Sequence, residues 1–190
     1  MADRASWSIG FSVVDDGDSS IPELYEKGKE NQGKIIDYLK GAGIKADELT
    51  KGIISYSSKE YRNENQELVE SKNFFSGQVL VETSRTEVIE PARAEINSLV
   101  VEGIFVQNNS PQFHFNGLND IKPAMVEEAT RNARIAAEEF AKNAGVSVGK
   151  IRSAQQGGFT IVDFGESYGD KKRLEKDVRV VTTVEFYLTD

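Results

Sequence analysis

The 190-residue sequence has no cysteine, one histidine, one tryptophan, two methionines and four prolines. Without cysteine there can be no disulfide, thiolate metal site or cysteine nucleophile, and the redox compartment is left open. The lone histidine, His114 in Phe113-His114-Phe115, would leave zinc binding or general-base chemistry resting on carboxylates alone. It is expected to be a strand residue between two inward phenylalanines. Basic residues are outnumbered, with 23 Lys and Arg against 31 Asp and Glu, a formal net charge of −8. Such a chain repels phosphate backbones and anionic lipid surfaces, so nucleic acid is excluded as an expected partner. The one basic cluster, Lys171-Lys172-Arg173, is bracketed by Asp170, Glu175 and Asp177 and reads as a solvated loop. No run approaches the roughly 20 apolar residues of a membrane span, and no secretory signal is visible. The first strand pattern begins within a few residues of Met1, so a signal peptide or anchor is expected to precede Ala2 in the native chain.

What is present is a well-patterned chain with 38% hydrophobic and 28% charged residues, ordinary for a folded domain with a core of its own. From Arg4 to Asp15, Trp7, Ile9, Phe11 and Val13 alternate with Ser6, Ser8, Gly10 and Ser12, the period of a half-buried strand. Ser20-Ile21-Pro22-Glu23 predicts a capped helix start. The helix continues to about Ala42, with Leu24, Gly28, Asn31, Ile35, Leu39 and Ala42 on one face and Gly41 and Gly43 as its stop. Strands are predicted at Leu49 to Tyr61 and Asn73 to Thr83, joined by the polar turn Arg62 to Glu67. Ser84 and Glu87 open a second helix to about Val101, in which Pro91 forces a kink or a later start. Two short strands follow, near Ile104 to Gln107 and Gln112 to Asn116.

The segment 127–151 carries alanine at 129, 133, 136, 137, 141 and 144. Helical spacing places Met125, Ala129, Ala133, Ala136, Ala137, Phe140 and Ala144 on one arc, with Glu127, Arg131, Arg134, Glu138 and Lys142 opposite. Small side chains allow close approach to a sheet or another helix, and Gly145 ends the helix. Strands are then expected at Val148 to Gln156 and Phe159 to Phe164, flanking Gly157-Gly158, and a last one at Asp177 to Leu188. The order of elements predicts an α+β fold: two interlocked two-layer sheet-and-helix units, largely antiparallel, the middle one ferredoxin-like. The expected division is one domain over 1–190, with possible subdomains 1–72 plus 145–190, and 73–144.

No constellation of catalytic groups appears. There is no Gly-x-Ser-x-Gly elbow and no dinucleotide or phosphate-loop glycine pattern. Asp15-Asp16-Gly17-Asp18 lacks the spacing of a calcium loop and reads as a turn into the capped helix. Glu127-Glu128 and Glu138-Glu139 read as a solvated helix face. The expected catalytic, cofactor-binding and metal residues are therefore none, and no cofactor is expected.

The run Ala129 to Ile151 resembles the helix-into-strand signature of the SIMPL-domain family, the YggE-like envelope proteins of bacteria. The matching positions are Ala129, Ala133, Ala136, Ala141, Gly145 and Gly149. The helix with Asn31, Leu39 and Gly43 and the closing strand 176–188 are similar to the family's first helix and terminal strand. Pro91 and the loop 165–173 depart from its pattern. The resemblance implies an α+β protein of the bacterial envelope, periplasmic or membrane-anchored facing the periplasm, tied loosely to oxidative and other stress tolerance. It implies no catalytic residues. The expected action is non-enzymatic, through self-assembly as a homo-oligomer or binding to other envelope proteins. A periplasmic module for a small ligand or peptide is the alternative.

Overall fold

A computed structural model describes residues 1–15, 17 and 19–190. Its helices and antiparallel sheets have the α+β class that the alternation of patterns predicts. The chain divides into two compact units, one over Asp3–Phe113 and one over His114–Asp190 with Met1–Ala2. The expected subdomain boundaries fell after 72 and after 144. The unit over Asp3–Phe113 crosses the first of these because β1 pairs antiparallel with β4 from Ala5↔Thr83 to Val14↔Phe74.

In that unit, β1 (Arg4–Val14), β2 (Leu49–Lys51), β3 (Ser55–Arg62), β4 (Leu68–Thr83), β5 (Phe105–Asn108) and β6 (Gln112–His114) form one sheet with the path β2-β4-β1-β5. β3 pairs β4, and β6 pairs β1. Helix α1 (Ile21–Gly41) starts where predicted, with the Glu23 carboxylate accepting hydrogen bonds from Ser20 N and Oγ at 2.8 and 2.7 Å. The core combines the odd-numbered residues of β1 and β4 (Trp7, Ile9, Phe11, Val13, Phe75, Val79, Val81) with Leu24, Ile35 and Leu39 of α1. Burial of each such side chain is worth about 1.5–3 kcal/mol.

The single strand expected over Leu49 to Tyr61 is two, separated at Gly52. Gly52 N donates to Gln78 O at 2.9 Å. The buried Gln32 amide of α1 donates to both Gly52 O and Gln78 O, at 2.9 and 3.1 Å. A side chain at Gly52 would place its Cβ 2.8 Å from Gln78 O, so the close backbone approach requires glycine. Pro91 lies in the first turn of α2 (Ile89–Glu95), with short 3-10 turns before and after it. This is the later start that proline predicts, since its missing N–H costs nothing in a first turn.

The unit His114–Asp190 holds α3 (Leu118–Ala144), β7 (Ser147–Asp163) and β8 (Lys176–Thr189), the two strands pairing antiparallel as a long ribbon. β7 continues through Gly157-Gly158, where two strands were predicted. The pairing slips between Gln156 and Phe159, a bulge that absorbs the glycines without ending the strand. Gly145 closes α3 with φ +71°, as the left-handed helix stop demands.

Candidate functional site

In the unit His114–Asp190, the face of α3 turned to the ribbon is the stripe Met125, Ala129, Ala133, Ala137 and Ala141, half-buried to buried at intervals of four. Ala129 and Ala133 face Val178, Val180 and Thr182 across a groove of 470 Å³. Lys122 Nζ lies 5.6 Å from the Phe159 ring centre and the Arg134 guanidinium 6.0 Å from that of Phe186. The predicted arc was broader. Ala136, Phe140 and Ala144 are exposed, Phe140 by 79%, because contact selects one of two adjoining small-residue stripes. Ile135, Ile151, Tyr187 and Leu188 are also exposed.

The loop 164–175 closes the ribbon around one carboxylate. Asp163 accepts hydrogen bonds from Lys172 N at 2.8 Å, Arg173 N at 3.1 Å and Lys176 Nζ. Lys176 Nζ also donates to Asp170 O at 2.7 Å. The side chains of Lys176 and Asp163 are 1% and 2% exposed. Burial pushes the Asp163 carboxyl up, but Lys176 and the two backbone donors outweigh it and hold the group below the ordinary carboxylate range. Three hydrogen bonds from within the chain hold this buried carboxylate, so it reads as a structural knot rather than a reactive acid.

In the other unit, Glu48 accepts from Thr83 Oγ1 at 2.6 Å, from Arg85 through both carboxylate oxygens, and from Lys45 N at 2.8 Å. The Arg85 hydrogen bond leads the causes that hold Glu48 at about 2. Arg85 also reaches Gly43 O at 2.9 Å. The pair fastens the exit of α1 to the end of β4.

The remaining candidates from sequence are dispersed. His114 is half-buried at the end of β6. Asp15 Oδ1 accepts from Gly17 N and Oδ2 from Asn73 Nδ2, at 2.9 and 2.8 Å, while Asp16 and Asp18 lie outside the described residues. Glu127, Glu128, Glu138 and Glu139 are exposed on α3, Glu138 pairing with Arg134 at 2.9 Å. Lys171, Lys172 and Arg173 are exposed, and Arg173 pairs with Glu166 at 2.8 Å. Among the described residues no group of three or more acidic or histidine side chains is placed to hold a metal, and no helix is long and apolar enough to cross a membrane. The Asp163–Lys176 knot escaped the sequence reading. Its one signal was a carboxylate between Val162 and Phe164, in an otherwise apolar run.

A depression of 460 Å³ lies on the face of the six-stranded sheet that carries the even-numbered residues of β1 and β4. Ser6, Ser8, Thr50, Leu80, Glu82 and Gln112 line it, with Asn109 and Ser110 as a wall. It is open, and polar side chains rim a lining that is in good part apolar, the mix that ligand sites use.

Two solved structures are similar over part of this chain. One is a hydantoinase/carbamoylase family amidase from Burkholderia ambifaria, at 11% identity and a TM-score of 0.29. The other is an amidohydrolase/peptidase-type protein from Burkholderia cenocepacia, at 13% identity and 0.25. Each alignment covers 60% of this chain and 28% of the other, so the chain spans under a third of their length. Likeness this slight carries no functional argument. No curated protein matches the chain. Residues 1–186, nearly the whole sequence, match one family, and the chain belongs to it: SIMPL, described as a protein of unknown function (DUF541).

Proposed function

We propose that this SIMPL-family chain is a non-enzymatic protein of the bacterial envelope that acts by assembling with further copies of itself. The carrying observation is the β7–β8 ribbon. Among the described residues its two strands pair only with each other, so long outer edges of backbone donors and acceptors are left open. Two-stranded ribbons are marginal on their own, and open edges are paired, covered or charged in proteins that stay soluble. Ile135 and Phe140 on α3, with Ile151, Tyr187 and Leu188 on the ribbon, add exposed apolar surface of the kind association covers. Edge pairing between copies would satisfy backbone and side chains together.

Among the described residues no grouped set of perturbed acid–base residues lies in an open cleft, which supports action without catalysis. The proposed location is the periplasm and the proposed context stress tolerance, as the resemblance to the YggE-like envelope proteins implies. With no cysteine and two methionines, any bearing on oxidants is indirect. Light scattering across a dilution series is the test, and a discrete multimer that survives dilution is expected. A monomer at every concentration removes assembly, and recovery of the protein in the cytoplasmic fraction of cells removes the envelope reading.

A further inference from the structure

We propose that the depression beside Trp7 is a binding site for a neutral saccharide. The assignment rests on the Asp3–Phe113 unit alone and is independent of assembly. The pairing register builds its floor. Thr50↔Leu80 and Ser8↔Leu80 place Thr50, Leu80 and Ser8 in one cross-strand row, and Ser6↔Glu82 forms the next. Directly opposed residues share a face of a sheet, so these side chains point together, away from the buried Trp7, Ile9, Val79 and Val81. Gln112 on β6 extends the floor on the other side of β1.

The wall is held from below. Trp7 is wholly within the core, yet its Nε1 reaches the turn and donates to Asn109 O at 2.9 Å. Asn109 N donates to Gln107 O at 3.1 Å, and Pro111 is buried. The turn that carries Ser110 is therefore a fixed rim. Ser8 Oγ is oriented by a hydrogen bond to Gln78 Oε1 at 3.1 Å.

The chemistry of the lining selects the ligand. No lysine or arginine lines the cavity, and Glu82 does, so phosphate and other anions are disfavoured. Arg4 approaches Glu82 no nearer than 3.9 Å, with both side chains exposed. A single carboxylate cannot hold a metal ion. Leu80, with Trp7 and Val81 beside it, supplies apolar surface, but a purely apolar ligand would leave the hydroxyls, the Gln112 amide and the Glu82 carboxylate without partners. Extended peptides bind to sheet edges, where backbone groups are free. Here the floor lies over the paired strands β1 and β4 rather than along an edge. What remains is a ligand rich in hydroxyl groups. The Thr50 and Ser110 hydroxyls can each donate and accept, Ser8 Oγ, its proton given to Gln78, accepts, the Gln112 amide does both, and the Glu82 carboxylate accepts from a pair of adjacent hydroxyls. Leu80 meets a C–H face of the ring. The volume of 460 Å³ falls within the roughly 300–1,000 Å³ of ligand sites.

Trp7, the only tryptophan, supplies the readout, because the rim hangs on its indole. The full chain would be titrated with cellobiose, maltose and N,N′-diacetylchitobiose while Trp7 fluorescence is followed, with tri-alanine and inorganic phosphate as comparisons. A saturable change with at least one disaccharide is expected, weakened about tenfold or more in Glu82→Gln and in Gln112→Ala, with far-ultraviolet circular dichroism unchanged in both. No response to any disaccharide, a response retained by both variants, or a response to tri-alanine or phosphate instead would overturn the proposal. Light scattering on the same samples keeps this outcome separate from the question of assembly.

Discussion

Lys176 and Asp163 form an almost fully buried ion pair at the closed end of a ribbon whose other side chains are mostly exposed. Removing one member of such a pair leaves a charge in the interior and costs about 3–5 kcal/mol. The two residues are not equivalent. Without Lys176, the Asp163 carboxylate keeps its two backbone donors, Lys172 N and Arg173 N. Without Asp163, those donors and the ammonium all lose their acceptor, apart from the bond from Lys176 to Asp170 O. Asp163→Ala is therefore expected to destabilise at the upper end of that range and Lys176→Met by less, as measured by urea unfolding. Equal costs would mean that the backbone donors contribute nothing.

Acid should weaken both units. Glu48 is held at about 2, against an ordinary value of 4.5, and Asp163 is also lowered. A carboxyl whose folded value is depressed stabilises the fold fully above its unfolded value and loses that contribution as pH falls toward the folded one. The stability from Glu48 is thus complete above about pH 4.5 and is lost progressively toward pH 2. Unfolding free energy measured across that window should fall with acidification. In Glu48→Gln the slope should be shallower and the plateau near neutral pH lower, by about 1.5–3 kcal/mol for lost hydrogen bonds to a charged group.

Phe11 lies across Gly77 on the neighbouring strand, its Cζ only 2.5 Å from where a Cβ would stand. The ring fills the space that a side chain at 77 would occupy and is itself buried. Gly77→Ala should cost about 1–3 kcal/mol by overpacking. Combining it with Phe11→Leu should cost less than the sum of the single changes, since the smaller side chain vacates the site. Additivity in thermal unfolding would show that the strain lies elsewhere.

The elements most legible in the sequence were those whose pattern is set by local neighbours. The alternation in β1 and β8, the capped start of α1 and the glycine after Ala144 needed no tertiary information. The missed features depend on distant partners. Nothing local says that Gly52 must lie against Gln78, which breaks one predicted strand into β2 and β3. Gly157-Gly158 read as a break because glycine weakens strands, whereas pairing with β8 carries β7 through as a bulge. Asp163 and Lys176 are thirteen positions apart with unremarked neighbours, and only the folded loop brings them together. Of the saccharide site, the serines of β1 were visible only as the outer half of an alternation. Their row-mates Thr50, Leu80 and Glu82 come from the register.

Which side of α3 is buried was the feature least decidable from the sequence. Two adjoining stripes of small and apolar residues run along the helix, one through Ala133, Ala137 and Ala141 and one through Ala136, Phe140 and Ala144. Helical period alone cannot choose between them. Ala141 is buried and Phe140 is exposed, so their substitutions should separate folding from association. Ala141→Leu forces extra volume into a filled position and should destabilise by about 1–3 kcal/mol. Phe140→Ser removes an exposed ring and should leave unfolding within about 0.5 kcal/mol when measured at a dilution where the chain is monomeric. If Phe140 belongs to the surface between copies, the same substitution should shift the light-scattering mass toward the monomer. A chain that loses stability on Phe140→Ser while remaining monomeric would place Phe140 in the core of its own unit, and the assembly surface would then have to lie along the ribbon edges alone.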